Sequence, residues 1–288
     1  MATISATAVK ELREKTGVGM MEAKKALEES GGDFENAVDI LRKRGLSTAA
    51  KKAGRVAAEG IIASSTLANI GVIVEVNSET DFVAKNEEFQ RFAKSLADLV
   101  RDQNPRDVTV LSTLMVANET VEAKRQALVQ KIGENLSIRR FERFQSDAKL
   151  AIYIHGTRIG VMVDFEGDDT QFGKDVAMHI AAANPLYLSR ESVPAESIAR
   201  ERSIYEAQAK DTGKPANVIA KIVDGKLEKF YGDTCLLEQV YIKDPDGKLK
   251  IKDILKGAKI RRFIRYQLGE GIEKKKECFA DEVAAQLK

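Results

Sequence analysis

Two stretches of this chain occur twice, in the same order. The run Ile70-Gly71-Val72-Ile73-Val74-Glu75-Val76 returns as Ile159-Gly160-Val161-Met162-Val163-Asp164-Phe165. Likewise Ile138-Arg139-Arg140-Phe141-Glu142-Arg143-Phe144 returns as Ile260-Arg261-Arg262-Phe263-Ile264-Arg265-Tyr266. A repeated order constrains the fold more than any single motif, because it specifies one supersecondary plan built twice. In each copy a strand pair leads to a helical window, at 89–101 and again at 173–183, and ends in an Arg-rich strand. Gly60-Ile61-Ile62-Ala63-Ser64-Ser65, followed after Leu67-Ala68-Asn69 by the first repeat, carries a hairpin signature. The expected fold class is α+β, with one core subdomain at 56–144 and a second at 145–184 plus 232–266.

The second copy is the longer, and its extra chain reads as two helices, 194–211 and 215–231, joined by Thr212-Gly213-Lys214. An antiparallel helical hairpin at 185–231 is therefore inserted into the second copy. Its apolar stripe of Ile198, Ile204, Tyr205, Val218, Ile219, Ile222 and Val223 needs a cover. Periodicity fits the chain's own core or a second chain, whether a homodimer formed through the hairpin or contact with a different partner.

Ahead of the repeat, residues 1–55 read as three short helices and a linker. Ser5 caps the first, which carries Val9, Leu12 and Arg13 and breaks at Thr16-Gly17-Val18-Gly19. The second, 20–29, carries Met21, Ala23 and Leu27 and stops at Gly31-Gly32, and Asp33 caps a third that ends near Gly45. Such a unit is similar to the ubiquitin-associated domain type, whose first loop is short, contains Gly and precedes exposed apolar side chains. Adjacent helical residues point about 100° apart, so one of Met20 and Met21 is expected to face outward. Residues 46–58, with Lys51, Lys52 and Arg55, read as a helical or flexible connector. At the other end, 267–288 is expected to form a C-terminal helical module, its helix starting at Ile272.

Forty-six basic against forty-four acidic residues leave a net charge of +2, so no strong field gathers nucleic acid and none is expected as a direct partner. Two cysteines, Cys235 and Cys278, and two histidines, His155 and His179, are too few and too scattered for a metal site. No phosphate-cradling GxxxxGK[ST] is present, and Gly269-Glu270-Gly271 opens no dinucleotide-binding unit, so no cofactor is expected. No run approaches the roughly 20 apolar residues of a membrane span, and the start of the chain lacks the basic-then-apolar pattern of a secretory signal. A cytoplasmic location is expected.

In an extended strand Glu75, Glu79 and Asp81 would share one face, as an acid/base pair requires, but Asn77-Ser78 reads as the end of that strand. No nucleophile, metal ligand or phosphate loop accompanies them, so the chain is not expected to be an enzyme. Arginine at alternating strand positions is read as a paired outer face rather than a phosphate site. What stands out is the segment Thr80-Asp81-Phe82-Val83-Ala84-Lys85, where an acid sits beside a large aromatic. Phe82 is either a core residue closing a strand or an exposed docking element.

The run VNSETDFVAKNEEF at 76–89 closely resembles the signature of the elongation factor Ts family, the nucleotide-exchange factors of the translational GTPase elongation factor Tu. KELREKTGVGMMEAKKAL at 10–27, KIGENLSIRR at 131–140, HGTRIGV at 155–161, AMHIAA at 177–182 and GEGIEK at 269–274 resemble it too, in the right order. The resemblance implies that elongation factor Tu is the partner and that a turn carrying Asp81 and Phe82, flanked by Thr80 and Val83, projects toward its nucleotide site. It places further contacts on Lys10, Arg13, Met20, Met21 and Lys24, on Lys52 of the connector and on His155. Family members often show Cys-Gln before the turn where this chain has Ser78-Glu79, so a thiol takes no part here. An adaptor of the ubiquitin-associated type and an RNA-binding protein using the Arg-rich strands are the competing readings.

Overall fold

The apolar periodicities at the start of the chain close on one another. The computed structural model describes residues 4–16, 18–167, 169–211, 213 and 215–273. Helices α1 (Ala6–Thr16), α2 (Met20–Glu29) and α3 (Phe34–Lys52) bury Leu12, Ala23, Ala26, Leu27, Ala37 and Leu41 together. The Asp33 carboxylate accepts the Asn36 N–H at 2.9 Å and so satisfies one of the donors left over at the start of α3. Contrary to the expectation from sequence, α3 does not end near Gly45 but runs on to Lys52. Gly45 is a packing position: a methyl group there would come within 2.8 Å of Gln130 Oε1 on the helix Val121–Ile132.

The described residues fall into two compact units. Those of Met1–Ser65, Val72–Arg143 and Gln267–Lys288 form one, and those of Thr66–Gly71 and Phe144–Tyr266 form the other. The C-terminal helix expected beyond Ile272 lies outside the described residues, apart from its first two positions.

The first repeat copy runs β1 (Glu59–Leu67), β2 (Ile70–Ser78), α4 (Asp81–Ala84), α5 (Glu87–Gln103) and α6 (Val108–Thr113). A two-residue ribbon of β3 (Met115–Val116) and β4 (Glu119–Thr120), α7 (Val121–Ile132) and β5 (Leu136–Gln145) complete it. The sheet order is β1-β2-β5, so the first repeated segment is the central strand and the Arg-rich segment its neighbour. From Gly71 to Ser78 β2 is buried throughout, which explains its nearly unbroken apolar sequence. In α5 the buried residues Phe89, Phe92, Ala93, Leu96, Ala97 and Val100 recur at helical spacing. Asn86 caps α5 by accepting the N–H groups of Glu88 and Phe89 at 2.9 and 3.1 Å.

The second copy repeats the plan with β6 (Lys149–His155), β7 (Ile159–Glu166), α8 (Thr170–Ala183) and, after the insertion, β8 (Lys259–Gln267), in the order β6-β7-β8. Antiparallel pairing sets Leu150 opposite Asp164 and Ile154 opposite Gly160. Helix α8 packs on β6 and β7 and buries Val176, Ala177 and Ile180 against Val161, Val163 and Phe165. Gly173 is what allows this approach, since a Cβ there would lie 2.3 Å from the Phe165 ring. Both copies thus have the expected α+β character.

Within the insertion, α9 (Ala195–Lys210) and α10 (Ala216–Thr234) pack against each other. Ala209, Val223 and Leu227 form the centre of this contact, with Ile198, Tyr205, Ile219, Ile222 and Tyr231 packed around it. Most of the stripe seen in the sequence is therefore covered by the hairpin itself, and Ile204 is left exposed. Among the described residues, no helix is long and apolar enough to cross a membrane.

Candidate partner-binding site

The central strand β2 ends at Ser78, and the chain then makes a single helical turn, α4. The strand ends where Asn77-Ser78 marked its end, so Glu75, Glu79 and Asp81 share no strand face. Glu75 points into the protein, where its carboxylate accepts from Arg139 Nη1 at 2.9 Å, Arg140 Nε at 2.6 Å and the Gly269 N–H at 2.8 Å. Burial works to raise its pKa, but these three donors outweigh it and hold the group below the ordinary glutamate range. Glu79 accepts the Asn135 N–H at 2.6 Å and faces Arg55 at 3.5 Å. Only Asp81 is turned to solvent.

Both flanks of α4 are tied down. Thr80 donates its N–H and its hydroxyl to the two carboxylate oxygens of Glu134, at 2.9 and 2.6 Å, and its carbonyl accepts from the Ser78 hydroxyl at 2.8 Å. On the far side Gln90 Nε2 donates to the Ala84 carbonyl at 2.8 Å, and the Lys85 and Asn86 N–H groups close the turn on Phe82 and Val83. Val83 and Ala84 are buried. Val83, expected to meet a partner, is buried, about 100° round the turn from the exposed Phe82. Phe82 itself is 76 % exposed, with the Lys85 ammonium 6.0 Å from the ring centroid. An exposed aromatic on a fixed turn departs from the usual fate of such side chains.

On the first helices Met20 and Met21 are 48 % and 62 % exposed, so both face outward where the sequence suggested one. They open α2 directly after Gly19, before the helix has a neighbouring turn to cover them. Lys24, one turn on from Met20, is exposed beside Glu28 at 3.7 Å, Lys10 beside Glu14 at 3.9 Å, and Arg13 is exposed. Lys52 is half-buried, and its ammonium donates to the Gly133 carbonyl at the end of α7. His155 closes β6 in the other unit, exposed, its Nδ1 2.9 Å from the Tyr153 hydroxyl. Among the described residues no group of three or more His, Cys, Asp or Glu side chains is placed to hold a metal ion.

Sequence comparison bears on this arrangement. Residues 79–270, which begin one position before Thr80, match the family model described as elongation factor TS. The whole chain aligns with curated relatives named elongation factor Ts. It is 53% identical over 289 residues to that of Paraburkholderia xenovorans (strain LB400), covering 100% of this chain and 98% of the relative. To those of Burkholderia thailandensis (strain E264) and Janthinobacterium sp. (strain Marseille) it is 51% identical with the same coverage. The chain belongs to the elongation factor Ts family. It is a translation elongation factor. The residues that sequence reasoning missed are Glu134, Asn135 and Arg55, which hold the turn from distant positions. Glu134 and Asn135 stand inside the KIGENLSIRR run, which carried the resemblance without a role attached.

Proposed function

We propose that this elongation factor is a guanine-nucleotide exchange factor for elongation factor Tu, acting in the cytoplasm by docking and catalysing no covalent step of its own. The observation that carries the reading is Phe82, an aromatic side chain 76 % exposed on a turn whose flanks are fixed. An exchange factor has to bind the nucleotide-free GTPase more tightly than the loaded one, and linkage then makes nucleotide and factor weaken each other equally. Burying Phe82 in a pocket that opens only when the nucleotide site is disturbed supplies about 1.5–3 kcal/mol toward that difference. Asp81, beside it, is a carboxylate acceptor for charge-assisted hydrogen bonds and competes for groups that hold the magnesium ion and phosphates of the GTPase. Met20 and Met21 add a soft apolar patch suited to an adaptable interface.

The test is release of labelled GDP from elongation factor Tu at saturating factor. Phe82→Ala is expected to fold normally and to slow release at least tenfold, equivalent to about 1.4 kcal/mol on the barrier. A folded variant with the wild-type rate overturns the wedge.

A further inference from the structure

The turn that presents Asp81 and Phe82 is too short to orient itself. A four-residue helix lacks the length to repay its own nucleation, so its direction is set by whatever holds its ends. At the N-terminal end the holder is one carboxylate. Thr80 is the N-cap of α4, yet its hydroxyl makes no cap bond to the helix, because that hydroxyl and the Thr80 N–H both go to Glu134. The two bonds end on separate oxygens of the same group, a bidentate arrangement that fixes the backbone and the side chain of Thr80 together.

Glu134 is itself well placed. Gly133 ends α7 in the left-handed conformation at φ 85°, and β5 begins at Leu136, so Glu134 lies on a bend between two regular elements. Lys52 donates to the Gly133 carbonyl, and the neighbouring Asn135 gives its N–H to Glu79 at 2.6 Å and its side-chain N–H to the Arg55 carbonyl at 2.9 Å. The bend at 133–135 therefore grips two consecutive residues, Glu79 and Thr80, directly before the exposed pair.

We infer that Glu134 is a positioning residue for nucleotide exchange, clamping Thr80 so that Asp81 and Phe82 arrive at the GTPase in one orientation. The inference rests on the exchange reading given above and adds to it the device that aims the turn. Binding elements held in their bound geometry lose less on association than elements that must be ordered at that moment. Without the clamp the turn retains its anchors Val83 and Ala84 but loses its fixed entry, so the wedge reaches its pocket in a fraction of encounters.

Full-length chains carrying Glu134→Ala, Glu134→Gln, Thr80→Val, Phe82→Ala and the double change Glu134→Ala/Phe82→Ala are compared for GDP release from elongation factor Tu across factor concentration, alongside thermal melting. Glu134→Ala is expected to lower the saturated release rate about tenfold with a smaller change in half-saturation, since the remaining docking surface is untouched. Glu134→Gln, which keeps one acceptor oxygen, is expected to recover part of the rate. In the Phe82→Ala background, Glu134→Ala is expected to cost less than about twofold, because the group it aims has gone. If Glu134→Ala fails to fold, Thr80→Val, which removes only the hydroxyl donor, decides the matter: slowed release supports the clamp and wild-type release overturns it. Slow Phe82→Ala with wild-type Glu134→Ala overturns the clamp alone. A wild-type rate for Phe82→Ala overturns the exchange wedge and the clamp with it, and a full additional tenfold loss in the double variant shows that Glu134 acts by another route and overturns the clamp.

Discussion

Glu75 and Arg140 form an ion pair at 2.6 Å in the first repeat copy, and Asp164 and Arg262 form its counterpart at 3.0 Å in the second. Both carboxylates are buried on the central strand, and both arginines stand third in the Ile-Arg-Arg run of the closing strand. Their neighbours differ. Arg139 also turns to Glu75, whereas its counterpart Arg261 turns to Asp147 and Glu166. Asp164 takes the Ser146 hydroxyl at 2.6 Å as its second donor, and Arg262 lies over the Phe144 ring at 4.1 Å. A buried carboxylate with several donors is costly to leave half-made, which accounts for the whole pair recurring in both copies.

Replacing Glu75 by alanine removes an acceptor from the Gly269 N–H, the Asn77 amide and both arginines, of which Arg139 keeps the Glu270 carbonyl and Arg140 the Gln267 carbonyl and the Glu270 carboxylate. Both guanidinium groups still reach water, so the loss is expected at about 2–4 kcal/mol, under the ~3–5 of a wholly buried pair. Urea unfolding followed by circular dichroism measures it, and Glu75→Gln is expected to fall between the two.

Acid should act through the same group and through Glu238. The Arg190 guanidinium, against the opposing effect of burial and with help from Lys250 and Lys252, holds Glu238 down at about 2. Glu75 is also held below the ordinary value of 4.5. A carboxyl whose folded pKa is depressed adds stability that is complete above its unfolded pKa and disappears as pH falls through the folded one. The stability owed to these two groups is therefore expected to be flat above about pH 4.5 and to decline from there toward pH 2. A urea series at stepped pH tests this, and Glu238→Gln should flatten the lower part of the curve.

His179 should give an earlier, separate decline. It is fully buried, its Nε2 3.0 Å from Gln239 Oε1 and its Nδ1 accepting the Ile242 N–H at 3.3 Å. Burial lowers its pKa below 6.5, against the Gln239 hydrogen bond that works to raise it. The folded value being the lower, its contribution is present above pH 6.5 and is lost as pH falls through the folded pKa. Histidine signals in a proton NMR titration are expected to place the His179 midpoint below pH 6.5.

The duplicated plan was legible because it rests on local periodicity, and so was the helical hairpin. Contacts distant in sequence were not. Gly45 reads as a helix stop until Gln130 is seen against it, and no local pattern ties Glu79 to Asn135, 56 positions on. Burial at Phe82 was equally open, since an aromatic after a strand is usually core; only the ties from Glu134 and Gln90 make an outward ring stable there.

Met20 and Met21 offer a surface test. Because neither is buried, Met20→Ala/Met21→Ala is expected to shift stability by under about 0.5 kcal/mol. Affinity for elongation factor Tu should fall roughly tenfold, near 1.4 kcal/mol, by calorimetry. A collapsed melting temperature with affinity intact would instead mark them as structural.

The sharpest contrast lies between Phe82 and Phe172, which follow the central strand of each copy. Phe172 is half-buried on the second core, its ring edge-on to Phe165 with centroids 5.9 Å apart, whereas Phe82 stands out in solvent. Truncating Phe172 removes packing and an aromatic pair, so Phe172→Ala is expected to cost about 1.5–3 kcal/mol in urea unfolding. Phe82→Ala is expected to cost under about 0.5 kcal/mol, because its ring has little burial to lose. The exchange assay should reverse the order, with folded Phe172→Ala releasing GDP at the wild-type rate and Phe82→Ala slowed. Equal destabilisation by the two changes would mean that the Phe82 ring packs on the protein in solution, and the divergence of the two copies at this point would lose its functional meaning.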